Sequence, residues 1–147
     1  MSTSLWERDG FEVSTDPSRL DRGFVLSELA KTYWAAENSP ENLWLSISNS
    51  RIYGLYGPDG AQIGFARAVT DEARFAWLGD VFICDTHKGQ GLGKWLIEVI
   101  TGDPALATVA RWMLATDDAH ELYTRFGFAR VSAEEAPNLM VMRRPLA

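Results

Sequence analysis

The segment from Val81 to Ile100, VFICDTHKGQGLGKWLIEVI, restricts the folds open to this chain more than any other stretch. A β-branched and aromatic run leads into glycines at alternate positions, Gly89, Gly91 and Gly93, and an apolar stretch with helical spacing follows. Glycine inside regular structure is entropically costly, so this clustering marks a turn whose backbone takes unusual angles or lies close to something. A strand passing through such a turn into a helix gathers unpaired N–H groups and partial positive charge at one point, which suits a phosphate. Two familiar phosphate-binding arrangements fail on detail. A nucleotide P-loop needs Ser or Thr after the lysine, and Trp95 follows Lys94 here. A dinucleotide fingerprint needs glycine at position 94 and normally follows the first strand of a parallel unit.

Elements on either side suggest the scaffold. FEVST reads as a first strand, and Asp16 and Pro17 then read as the cap and first residue of a helix that carries Leu20, Phe24, Leu26 and Leu29 and ends near Tyr33. Ser39 and Pro40 open a second helix in the same way. From Arg51 the period changes: RIYGLYG and AQIGFARAVT flank the turn signal PDG as a hairpin, and FAWLGDVFICD follows as a central strand. After the glycine turn come the helix GLGKWLIEVI, the strand ARWMLA and a helix beginning near Asp118. That helix is expected to be capped by Asp117 or Asp118, with Glu121 completing a capping box and Gly127 at its end. Strands near FGFARV and NLMVMR finish the chain. The order predicts an α/β (α+β) fold with a mixed, mostly antiparallel sheet flanked by helices.

A chain of 147 residues with 46% hydrophobic content suits one domain over residues 1–147. The formal charge of −6 is the wrong sign for general nucleic-acid binding. Cys84 is the only cysteine, so no intrachain disulfide is possible, and with His87 and His120 as the only histidines no metal site is expected. The N-terminus lacks a basic region followed by an apolar core, and no apolar run has membrane-spanning length. A cytoplasmic location without membrane attachment is the expectation.

KGQGLG, from Lys88 to Gly93, resembles the signature of the GNAT superfamily of N-acetyltransferases: Arg or Gln, two residues, Gly, one residue, then Gly or Ala. Lys88 departs from it at the first position but keeps the positive charge. YTRFGF is similar to that family's later Tyr-x-x-x-Gly-Phe element, and the order of elements matches over nearly the whole chain. The resemblance implies a GNAT-like fold with a splayed central strand pair. It also implies acetyl-CoA as cosubstrate, its pyrophosphate held by Lys88, Gly89, Gln90, Gly91, Leu92, Gly93 and Lys94, mainly through backbone N–H groups. Main-chain groups of Val81, Phe82 and Ile83 would pair with the pantetheine arm, while their side chains pack as ordinary core residues.

By the same resemblance Tyr123 is the general acid toward the departing sulfur, and a phenol is protonated at neutral pH without special tuning. A backbone N–H near Ile83 would meet the thioester carbonyl. Asp80, beside Gly79, is the candidate base; a solvated or paired aspartate, or proton loss through water, is the competing reading. Where many members carry an asparagine on the cofactor arm this chain has Thr116, which cannot copy an amide. Cys84 suggests a covalent acyl-enzyme, but no base beside it can be assigned from sequence. Tyr33, Trp34, Phe75 and Trp77 are candidate walls of an acceptor pocket, with Glu37, Asp71 and Glu72 as partners for an ammonium group; core aromatics and solvated charges explain them equally well. The implied activity is acetyl transfer to a primary amine by direct attack in a ternary complex, with a homodimer as the family's common assembly. A noncatalytic module that binds an acyl-CoA is the alternative.

Overall fold

The protein is described here as a computed structural model covering residues 3–145. Strands β1 (Leu5–Arg8) and β2 (Phe11–Ser14) form a hairpin whose turn residues Asp9 and Gly10 have φ of 52° and 86°. An Asp-Gly pair accepts two positive φ angles, which is why so short a hairpin closes here. FEVST is therefore the second strand, and β1 was not anticipated.

The next expected helix is divided. Asp16 caps a single 3-10 turn, Pro17–Arg19, and Leu20 is extended. Asp21 then accepts the Phe24 N–H at 3.1 Å and starts α1 (Arg22–Leu29). A second capping aspartate five residues after the first restarts the chain, so the helix is shorter than its apolar spacing suggests. It ends before Tyr33, with the Thr32 hydroxyl donating to the Leu29 carbonyl at 2.8 Å. Helix α2 (Pro40–Ser48) starts as expected, its Ser39 hydroxyl accepting the Asn42 N–H.

Strands β3 (Arg51–Tyr56), β4 (Gln62–Thr70) and β5 (Phe75–Ile83) form the antiparallel meander. Helix α3 (Leu92–Thr101), β6 (Arg111–Ala115), α4 (His120–Thr124), β7 (Ala129–Ser132) and β8 (Ala136–Arg143) complete the fold. The eight-stranded sheet has the order β1-β2-β3-β4-β5-β6-β8-β7, and only β5 and β6 run parallel. Neither Asp117 nor Asp118 caps α4. The Thr116 hydroxyl accepts the Ala119 N–H at 3.0 Å, because β6 ends at Ala115 and Thr116 is the residue placed to turn the chain.

Alternate residues of β3 and β4 feed two cores on opposite faces of the sheet. Tyr53 and Ala66 join Leu96, Ile97, Ile100, Trp112 and Met140 beneath α3. Ile52 and Phe65 join Val25, Leu29, Leu43 and Ile47 beneath α1 and α2. Each fully buried aliphatic side chain contributes about 1.5–3 kcal/mol, so both faces hold the sheet firmly. A buried polar contact ties β3 to the end of α3: Asp103 accepts from the Tyr53 hydroxyl at 2.6 Å and from Arg51 Nε at 2.9 Å.

Candidate acetyl-CoA and acceptor site

Pairing between β5 and β6 covers only Phe75–Trp77 against Arg111–Met113. Beyond Trp77 the two strands separate, and β5 keeps a partner on its β4 side alone. The β4–β5 register shifts as well: Arg67 faces Gly79 and Phe65 faces Phe82, so Asp80 and Val81 together oppose Ala66. This bulge holds Asp80 at a φ of 53° and bends β5 away from β6. Cys84 N–H bonds to the Ile63 carbonyl at 2.8 Å. By the alternation of an antiparallel ladder, the main-chain groups of Phe82 then face β4, while those of Ile83, and of Val81 at the bulge, face the open side. Phe82 thus differs from its two neighbours: its backbone serves the sheet, and its ring packs on Phe24 and Phe65 at 5.7 and 5.9 Å.

The strand continues through a 3-10 turn, Asp85–His87, into the glycine segment. Gly89 and Gly91 have φ of 82° and 76°, and Gly91 is the residue before α3. Among the described residues no acceptor meets the N–H groups of Gly89, Gln90, Gly91, Leu92, Gly93 or Lys94; Trp95 is the first to find one, the Gly91 carbonyl at 3.0 Å. A Cβ on Gly89 or Gly91 would meet no protein atom within 4 Å, so the space above the turn is open. Lys88 pairs with Asp85 at 2.8 Å; the pairing holds the Lys88 ammonium pKa above its ordinary value and the Asp85 carboxyl below it.

Where the strands part, a cavity of about 340 Å³ opens, bordered by Trp34, Trp77, Asp80, Val81, Thr116 and Tyr123 among others. Tyr33, Ala35 and Asn38, which like Trp34 come from the segment after α1, also border it. Trp34 Nε1 donates to Asp80 on β5 at 2.9 Å, and the Tyr33 hydroxyl accepts the N–H of Asp117, beyond β6, at 3.0 Å. The two rings meet edge-on at 5.0 Å. The other Asp80 oxygen pairs with Arg67 Nε, and Arg67 also donates to the Ser50 hydroxyl at 3.0 Å. Tyr123 is buried beside Phe128, and no hydrogen-bond partner for its hydroxyl is found among the described residues. Burial, then the charges of Tyr33 and Asp118, push its pKa up to about 12.

Residues 48–130, more than half the chain, match the family model of the acetyltransferase (GNAT) domain. The chain belongs to the GNAT acetyltransferase family. A Gibberella zeae protein that carries the name of an acetyltransferase is 30% identical, over 78% of this chain and 77% of its own. A Xanthomonas campestris structure assigned to the GNAT acetyltransferases is 41% identical with a TM-score of 0.77, covering 81% of this chain and 84% of that one. The fold also matches a GNAT acetyltransferase of Elizabethkingia anophelis that was solved with acetyl-CoA bound, at a TM-score of 0.70 and 12% identity over 93% of this chain and 100% of that one.

Within this GNAT fold, Tyr33, Trp34, Trp77, Asp80, Val81, Thr116 and Tyr123 border the cavity together. Phe75 does not. It lies at the paired end of β5, away from the splay, and borders a different cavity. Asp71 and Glu72 are also elsewhere: Asp71 accepts the N–H groups of Ala73, Arg74 and Phe75 in the β4–β5 turn, which pull its pKa down to about 2. Glu37 is exposed outside the cavity lining. The Thr116 oxygen accepts the N–H groups of Ala119 at 3.0 Å and Asp118 at 3.4 Å, which leaves its hydroxyl hydrogen to offer. Cys84 does have a base nearby, His87 Nδ1 at 3.4 Å, but the same nitrogen lies 2.9 Å from the Thr86 hydroxyl and neither residue borders the cavity.

Arg67 and the bridging role of Trp34 were not foreseen. Arg67 lies within AQIGFARAVT with nothing local to single it out, and its pairing with Asp80 depends on a bulge that no local pattern announces. Among the described residues no helix is long and apolar enough to cross a membrane, and no group of three His, Cys, Asp or Glu side chains gathers as a metal site.

Proposed function

We propose that this GNAT acetyltransferase transfers an acetyl group from acetyl-CoA to a primary amine by direct attack in a ternary complex. The observation that carries this reading is the row of unpaired N–H groups from Gly89 to Lys94, set at the end of a strand whose other edge is open. The residues present fit the cosubstrate: a diphosphate matches the turn's unmet donors, and the space a Cβ would fill at Gly89 and Gly91 is free. Acetyl-CoA would supply an acyl thioester already activated toward an amine.

The chain's own residues would then do four things. The turn from Lys88 to Lys94 anchors the pyrophosphate, with Lys88 and Lys94 adding charge. The outward main-chain groups of Val81 and Ile83 would pair with an extended arm, and the Ile83 N–H would donate to the thioester carbonyl. Tyr123 holds its proton at the cavity. A phenol at about 12 is a weaker acid than an alkyl thiol at about 8.5, so it would stabilise the leaving thiolate by donating a hydrogen bond while keeping its proton, and the thiolate would take its proton from solvent. Asp80 has both carboxylate oxygens engaged, by Trp34 and Arg67, so it would take the amine's proton through a water.

The bound state of Asp80 also supports the second reading, an acyl-CoA-binding module without turnover. Thioester consumption measured across an amine panel, with Tyr123→Phe alongside, separates the two. Turnover on some amine that falls in the variant supports the enzyme; calorimetric binding of acetyl-CoA with no turnover on any acceptor supports the module.

A further inference from the structure

At the paired end of β5 and β6, on the opposite side of the three-residue pairing from the cleft, lies a cationic patch on an otherwise acidic chain. Arg111 of β6 stands directly opposite Arg143 of β8, and Phe75 of β5 is its register partner on the other side. The Arg144 N–H bonds to the Ala110 carbonyl at 2.7 Å. Ladder alternation then makes Arg111 and Arg143 a non-hydrogen-bonded pair, with Cα atoms about 4.5 Å apart, the closer of the two antiparallel spacings. Register partners project on the same face, and like charges in that position repel.

Among the described residues Arg74, Arg111 and Arg143 take part in no ion pair. Asp71 borders the same cavity and its charge acts on Arg74, while its Oδ1 accepts three backbone N–H groups; against this one carboxylate stand three guanidinium groups. Arg144 is a different case: its guanidinium donates to the carbonyls of Thr101, at the end of α3, and of Leu106 and Val109 in the segment that follows, and so is fully engaged. Arg74, Arg111 and Arg143 remain, converging with the exposed ring of Phe75 on a cavity of about 580 Å³. Guanidinium forks match phosphate and carboxylate oxygens in pairs, and an anion between two of them turns their repulsion into attraction.

We propose that this cavity binds a small ligand carrying two or more phosphate or carboxylate groups joined to a flat ring, the anionic groups on Arg74, Arg111 and Arg143 and the ring on Phe75. The site is separate from the glycine turn and does not depend on the acyl-transfer reading. Amide chemical-shift mapping of the full chain at low salt tests it with three probes: ADP, tripolyphosphate and benzene-1,3,5-tricarboxylate. ADP and at least one of the other two should shift the amides of Phe75, Arg111 and Arg143 in a saturable way, and added salt should weaken the effect. A stronger response to tripolyphosphate than to the tricarboxylate assigns phosphate as the anion, and the reverse assigns carboxylate. Arg111→Ala and Arg143→Ala should each weaken binding at the patch about tenfold or more, while any shifts at Gly89–Lys94 persist. Each removes one of two opposed like charges, so loss of fold is not the expected cause of a negative result. Phe75→Leu should weaken ADP and the tricarboxylate but leave tripolyphosphate unchanged. Shifts confined to the glycine turn, no shift with any probe, or arginine variants that bind as tightly as the parent would each overturn the site. An equal loss for all three probes in Phe75→Leu would overturn the ring's role.

Discussion

Tyr123 is buried in a wall of the cleft, but its hydroxyl is not among the buried polar atoms left without a partner, so with no protein partner among the described residues it is open to whatever enters the cleft. Removing that oxygen should cost catalysis more than structure: Tyr123→Phe should lower kcat about 10²-fold or more, with acetyl-CoA affinity unchanged by calorimetry. Because burial raises the phenol's pKa to about 12, ionisation of Tyr123 should impose no loss of activity between about pH 7 and 10, as a pH–rate profile would show. Asp80 is in the opposite condition. Asp80→Asn would leave Arg67 without its counter-charge and should lower stability by about 1–3 kcal/mol in denaturant unfolding, besides any effect on rate. In the sequence, Tyr123 stood out through YTRFGF, and Asp80 only through its place on the strand before the glycine turn. What Asp80 touches was not legible: Trp34 lies 46 residues away and reaches it only once α1 stops at Leu29.

Among the elements, the glycine turn and α3 were readable because their signals are consecutive: a β-rich run, three glycines, then apolar positions at helical spacing. The broken first helix and the β1–β2 hairpin were harder. LWER is too short for alternation to show, and a second aspartate cap is visible only if the first is not taken to serve the whole helix. Gly91→Val places a β-branched residue at φ 76°, a strain of about 1–2 kcal/mol, and puts methyl groups in the open space over the turn. The fold should survive while acetyl-CoA binding is lost; unchanged affinity in a titration would count against the turn's assignment. The β4–β5 turn carries a pH dependence of its own. Three N–H groups lower the Asp71 pKa from 3.8 to about 2, so its stabilisation is complete above about pH 4 and lost as the pH falls through 2. Thermal melts of Asp71→Asn and the parent should therefore differ at pH 6 and converge near pH 2.

At the scale of the molecule, the mixed sheet was foreseen as a class, and its open seam only through a resemblance. Strand order and the short parallel pairing depend on contacts between distant segments that no local pattern encodes. A ligand that bound along this seam would favour the folded state in proportion to its occupancy. At a hundred times Kd, acetyl-CoA should add about 2.7 kcal/mol and raise the Tm by roughly 5–10 °C. The seam has a mechanical consequence too. Five strands on one side and three on the other are joined at one end by Phe75–Trp77 and Arg111–Met113, so the sheet resembles a clothes-peg whose spring is those few rungs. Anything wedged into the jaws, a longer acyl chain above all, exerts leverage on Ala76 and Trp112, residues it never touches.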